Sequence, residues 1–157
     1  MPRVISQKTV DAINDYTKRY PTRLAALLPA LHLVQKEHGH ITPDAELDVA
    51  EVLDVPPTRV REVVTFYTMY YDKPVGRNVV KICRNLACEL RGASALIEHA
   101  EQVLGIKCGE TTPDGRVTLE HEECLASCGT APMLWWNDNF EENLTKEKLE
   151  TFLAGLK

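Results

Sequence analysis

The chain has no long apolar run: its longest unbroken apolar stretch, Leu24 to Leu28, is far below the ~20 residues a bilayer helix needs. Any link to a membrane is therefore expected to run through partner proteins. The opening Met1-Pro2-Arg3-Val4-Ile5-Ser6-Gln7-Lys8 has no apolar core of the kind a secretory signal carries, so a reducing, cytosolic setting is expected. There is no surplus of cations either, and a net charge of −5 gives no general attraction for nucleic acid. Nothing resembles a GxGxxG loop, a P-loop or a nucleophile elbow, so nicotinamide and flavin are expected to bind elsewhere, and no C-x-x-C offers the redox pair of a thiol oxidoreductase. What remains is an ordinary globular composition, 44% hydrophobic and 26% charged, in 157 residues, enough for one domain or two small ones.

Against that background the cysteines stand out. Four of the five form two close pairs, Cys83 with Cys88 (C-x4-C) and Cys124 with Cys128 (C-x3-C), separated by residues 89–123. Each loop can present two sulfurs, and the fold must bring the loops together. Four thiolates suit a [2Fe-2S] cluster, whose two irons take two cysteines each. A tetrahedral zinc site remains open, because zinc knuckles tolerate three- and four-residue spacings, and buried thiols or disulfides are the plainer alternatives. A plant-type ferredoxin fits poorly, since its third cysteine follows the second after two residues. Cys108, alone in Ile106-Lys107-Cys108-Gly109, reads as a packed or exposed thiol. His121 precedes Cys124 by three residues and could ligate zinc, but reads more simply as a strand-end surface histidine.

The first half reads as helical. From Gln7 to Tyr20 the residues Val10, Ile13, Tyr16 and Tyr20 recur at helical intervals until Pro21 stops them. A second run from Arg23 to His38 carries Leu24, Leu27, Leu28, Leu31 and Val34, with Gly39 as its C-terminal cap and Pro29 either kinking it or marking its true start. Thr42-Pro43-Asp44 is a cap, a first-turn proline and a first-turn acid, opening a short helix with Leu47, Ala50 and Leu53. After Pro56-Pro57 another helix carries Val60, Val63, Val64, Tyr67 and Tyr70 towards a core. Phe66, Tyr67, Tyr70 and Tyr71 form the densest aromatic patch, suited to packing or to a partner-facing surface. Residues 47–66 also resemble a helix-turn-helix. Its would-be recognition helix has only Arg59 and Arg61 as cations and follows Asp44, Glu46, Asp48 and Glu51, so phosphate repulsion argues against DNA binding.

After the turn-rich Lys73-Pro74-Val75-Gly76, a boundary expected between a helical domain (1–76) and a second domain (77–157), the pattern changes. Asn78 to Ile82 reads as a buried strand with Cys83 at its end, and residues 90–104 as a helix closed by Gly105. Asp114-Gly115 marks a turn before a strand over 116–120, Met133 to Trp136 reads as another strand, Asn137-Asp138-Asn139 as a turn, and 146–156 as a closing helix capped by Thr145. This strand, helix, strands, helix order is that of a thioredoxin-like α/β layer, and the whole chain reads as α+β, a helical bundle followed by that layer.

Cys83-Arg84-Asn85-Leu86-Ala87-Cys88, residues 109–115 and Glu123-Cys124-Leu125-Ala126-Ser127-Cys128-Gly129-Thr130-Ala131-Pro132 closely resemble the thioredoxin-like [2Fe-2S] ferredoxins. The resemblance extends over roughly residues 10 to 155, through Leu28 to Gln35, Gly39-His40-Ile41, Val60 to Tyr67 and Lys73 to Gly76, to the 24 kDa-type (E) subunits of respiratory complex I, NADH:quinone oxidoreductase. It implies Cys83, Cys88, Cys124 and Cys128 as ligands of one [2Fe-2S] cluster of low potential. It also implies a partner subunit that binds FMN and NADH and exchanges one electron with that cluster, and a place on the hydrophilic arm, peripheral to the inner face of the membrane. A temporary electron store off the main electron path would follow. Equivalent modules serve NAD-linked hydrogenases and formate dehydrogenases, and a zinc-stabilised adaptor is a third alternative. Arg84 departs from the family pattern, where a smaller residue is expected, and Cys108 falls where no ligand is expected. Main-chain N–H groups around Arg84 to Cys88 and Ser127 to Gly129, with the Arg84 and Ser127 side chains, are the expected donors to the sulfurs. Gly129 could supply a backbone angle that folds the loop tightly and Pro132 a cis bond at the start of the next strand, with ordinary loop residues as the equal alternative for both.

Overall fold

In the computed structural model, residues 3–157 are described, and the chain divides into two compact units, one ending at Pro74 and one beginning at Val75.

Helix boundaries in the first unit follow from residues that can or cannot continue a helix. Helix α1 (Gln7–Thr17) starts where Ser6 accepts a hydrogen bond from the Thr9 N–H. It stops three residues short of Tyr20, because Pro21 disfavours helical backbone in the residue before it. A short 3-10 turn (Arg23–Ala26) leads into α2 (Leu27–His38), so Pro29 occupies the third helical position, where no intrahelical N–H bond is lost. Gly39 closes α2 with φ 79°, its N–H on the Gln35 carbonyl. Helix α3 (Pro43–Leu53) is capped by Thr42, which accepts from the Ala45 N–H, and α4 (Pro57–Phe66) begins on a proline. The turn between them rests on Asp54, in the left-handed region at φ 54°.

These helices bury Ile13, Leu31, Val34, Ile41, Val49, Leu53 and Val60 completely, each contributing about 1.5–3 kcal/mol of transfer free energy. Tyr70 lies beyond α4, not in it. It reaches the same core from the following turn and donates its hydroxyl to the Leu28 carbonyl at 2.9 Å, while Phe66 remains 78% exposed. The helix-turn-helix resemblance ends in ion pairs: Arg61 binds Glu46 at 2.8 Å and Asp72 at 3.2 Å, and Arg59 binds Glu62 at 2.6 Å. Both cations are already neutralised by carboxylates.

The second unit is a four-stranded mixed sheet in the order β2-β1-β3-β4. Strand β1 (Asn78–Cys83) runs parallel to β2 (Val117–Glu122) and antiparallel to β3 (Leu134–Trp136). A two-residue turn at Asn137 and Asp138, φ 40° and 70°, returns the chain as β4 (Asn139–Glu141), a strand too short and too exposed to leave a periodic signal. The helix expected over residues 90–104 is α6 (Ala93–Leu104), and a short helix, α5 (Leu86–Leu90), precedes it in the stretch expected as a loop, with Gly92 (φ 91°) between them. Helix α6 supplies the crossover that parallel strands require, and α6 with α7 (Lys146–Gly155) packs over Val80, Ile82, Leu119 and Leu134. In-register partners share a face, so Ile82 opposite Leu134 and Val80 opposite Leu119 build one apolar layer.

Gly76 is required by a close approach. A Cβ there would stand 2.9 Å from the Thr118 nitrogen and the Val117 carbonyl carbon, both main-chain atoms at the head of β2. Gly76→Ala is expected to destabilise the second unit by about 1–3 kcal/mol in urea titrations. Gly155→Ala, with nothing within 4 Å, is expected to be neutral or stabilising. Thr42→Ala is expected to destabilise the first unit by about 1 kcal/mol, with Thr42→Ser restoring most of the loss.

Candidate metal centre

Parallel pairing of β1 with β2 places the two cysteine loops together. Cys83, the last residue of β1, stands opposite Glu122 in the ladder, so both loops leave the same end of adjacent strands. The Cys83 N–H donates to the Met133 carbonyl at 3.1 Å and the Arg84 N–H to the Glu122 carbonyl at 3.0 Å, so the end of β1 is tied to the segments on both sides of it. Asn85 caps α5 and sends its side-chain amide to the Glu123 carbonyl at 3.0 Å, lacing the first loop to the second. Cys88 then falls inside α5, where the sequence suggested a loop before the helix, and points away from the exposed Leu86 and Leu90.

Cys83 and Cys88 are almost fully buried, in a small apolar pocket with Ala93, Ala131 and Met133, fringed by Ala87 and Leu125. Cys124 and Cys128 lie exposed on the second loop. All five cysteines are free thiols. The second loop is shaped by a left-handed residue, but it is Ala126 (φ 60°), not Gly129, whose φ lies outside that region; the Ala131–Pro132 bond is cis. With this turn the Ala126 N–H approaches the Cys124 sulfur at 3.4 Å.

Burial, followed by the adjoining Cys83 thiol, pushes the Cys88 thiol up to about 11, and the charge at Cys128 adds to the same effect. Thiolates collected here need a compensating cation. Among the described residues, no three His, Cys, Asp or Glu side chains surround one point closely enough for a single metal ion. A binuclear [2Fe-2S] group takes two cysteine sulfurs per iron, and a soft all-sulfur donor set with its inner pair in an apolar pocket fits it.

The two side chains expected to donate to sulfur do something else. Arg84 donates Nε to Glu123 Oε1 at 2.9 Å and Nη2 to the same oxygen, and its Nη1 lies 3.5 Å from His121 Nε2. Ser127 donates its hydroxyl to Glu142 Oε1, which also accepts from Thr130 Oγ1 at 2.6 Å. His121 is an exposed strand residue in β2. Cys108 is half-buried, its N–H on Glu101 at 2.9 Å and its thiol pushed up by burial and by Glu101. On the sheet face opposite α6 and α7 the sequence reading passed over Lys81, 4% exposed, with Nζ 3.1 Å from Glu120 and 3.6 Å from Glu122. The signal for it was a lysine at the centre of a buried strand.

Residues 13–157 match the family described as thioredoxin-like [2Fe-2S] ferredoxin. The chain is 42% identical over 139 residues, 88% of its length and 83% of the relative's, to the E 2 subunit of the NADH-quinone oxidoreductase of Rhizobium meliloti. It is 39% identical over 150 residues to subunit 2 of the NADH-quinone oxidoreductase of Thermus thermophilus, covering 94% of this chain and 83% of that one. To the E subunit of the NADH-quinone oxidoreductase of Rickettsia bellii it is 38% identical, over 96% of this chain and 92% of the relative. Among solved structures, the NAD+-reducing [NiFe]-hydrogenase in its H2-reduced state matches the fold with a TM-score of 0.69 at 21% identity, over 82% of this chain and 21% of that chain. With two cysteine pairs set at one end of a helix-covered mixed sheet, and a family match over nearly its whole length, this chain belongs to the thioredoxin-like [2Fe-2S] ferredoxins.

Proposed function

We propose that this chain is an electron-transfer subunit of an NADH:quinone oxidoreductase, with Cys83, Cys88, Cys124 and Cys128 as the ligands of one [2Fe-2S] cluster and FMN and NADH held by a partner subunit. The observation that carries the reading is the delivery of two free-thiol pairs to one end of β1 and β2, one pair buried and the other facing outward. The names of relatives that match most of this chain and most of their own length support the oxidoreductase assignment. The hydrogenase likeness speaks for the fold alone.

When bound, such a cluster takes up and returns one electron. The protein's part is to hold four thiolates and to limit rearrangement around them. Cys83 is fixed by ladder hydrogen bonds and Cys88 by a helix, and both sit among side chains that exclude water from the inner pair. The outer pair, Cys124 and Cys128, lies on the exposed side, where a flavin-bearing partner would approach. No helix of the described residues is long and apolar enough to cross a membrane, so attachment on its inner face would run through the other subunits of the hydrophilic arm.

Full-length protein purified without air is expected to be red-brown, with about two irons and two acid-labile sulfides per chain and a one-electron EPR signal after reduction. Cys88→Ser and Cys128→Ser are expected to lose or alter that signal, and Cys108→Ser to keep it. Colourless protein holding zinc, or an unaltered signal in both ligand variants, overturns the assignment. A pull-down from native extract is expected to recover an FMN-containing protein; recovery of hydrogenase or molybdenum-enzyme subunits would move the chain to one of those assemblies.

A further inference from the structure

Both hydrogen-bond-donating side chains that flank a proposed ligand are claimed by a carboxylate. Arg84 adjoins Cys83 and is bound to Glu123; Ser127 adjoins Cys128 and is bound to Glu142, which holds Thr130 as well. Glu123 takes two guanidinium N–H groups on one oxygen, and Glu142 takes two hydroxyls on one oxygen. A charged carboxylate is a much stronger acceptor than sulfur, so the competition goes to the glutamates. On the second loop a main-chain N–H does reach sulfur, from Ala126 to Cys124 at 3.4 Å.

Reduction adds one electron, without a proton, to a group already carrying four thiolates. Donors and cations turned to the sulfurs favour it, and nearby anions oppose it. Building on the cluster assignment above, we propose that Glu123 and Glu142 are positioning residues that withhold Arg84 and Ser127 from the ligand sulfurs and so keep the reduction potential of the centre low. The partners are 39 residues apart in one case and 15 in the other, so each capture also sets loop geometry that only the folded chain provides.

The test is an EPR-monitored redox titration of the full-length, cluster-loaded chain, with dithionite as reductant. At a fixed ambient potential, Glu123→Ala and Glu142→Ala are each expected to raise the ratio of reduced to oxidised centre about tenfold, equivalent to about 59 mV for one electron. Removing the freed neutral donor as well, as Glu142→Ala with Ser127→Ala, is expected to abolish most of that rise, which loss of a negative charge alone would not do; Glu123→Ala with Arg84→Met, which also removes a positive charge, is expected to fall at least as far. If an alanine variant fails to load, Glu123→Met or Glu142→Met, which keeps the side-chain length without an oxygen acceptor and is paired with the same donor deletions, is read in the same way. Unmoved single variants overturn the proposal, as do double variants that keep the full rise. A wild-type chain without an iron–sulfur signal overturns the cluster assignment with it; a normal wild-type signal with unmoved variants overturns this proposal alone.

Discussion

The parallel ladder between β1 and β2 is the constraint on which the rest of the second unit depends. Parallel strands cannot be joined by a hairpin, so the chain must leave β1, cross over through α5 and α6, and re-enter at β2 before a neighbouring strand exists. The crossover contains Cys88, and the exit of β2 leads directly to Cys124 and Cys128. Because Cys83 lies opposite Glu122, the ends of the two strands are level, and residues far apart in sequence become neighbours in one pocket. A slip of the ladder by one residue would turn Cys83 to the opposite face and separate it from Cys88.

Charge around that pocket is handled in two layers. Inside, burial disfavours ionised thiols, most clearly at Cys88, so a stable thiolate set depends on a cation of matching charge and softness. Outside, Arg84 with Glu123 and Ser127 with Glu142 form local, self-satisfied hydrogen-bond groups. Family membership concerns the inner layer. The outer layer rests on these particular side chains, and Arg84, the departure from the expected sequence pattern, has its own partner in the second loop.

Much of this is legible in the sequence where the signal is local. The caps Ser6, Thr42, Asn85 and Thr145 sit one residue before their helices and act through their own side chains; of these, Thr42 and Thr145 stand out from the sequence alone. The two cysteine pairs are visible from spacing alone. What is not legible depends on contacts distant in sequence or on weak local energies. Helix α5 is hidden because its five residues are too few for a helical period, and β4 because its three residues are all exposed. Ala126 in a left-handed conformation, near a glycine that would adopt it more readily, reflects how the folded loop constrains its backbone rather than intrinsic preference. The diversion of Arg84 and Ser127 away from sulfur cannot be read from either loop by itself, since each acceptor lies on another segment.

X-ray absorption at the iron edge of the anaerobically purified full-length chain tests the central claim most directly. Two thiol pairs closing on a binuclear centre require an all-sulfur first shell and a distinct iron-to-iron shell. A first shell containing nitrogen or oxygen, or a single metal without a metal neighbour, would contradict it.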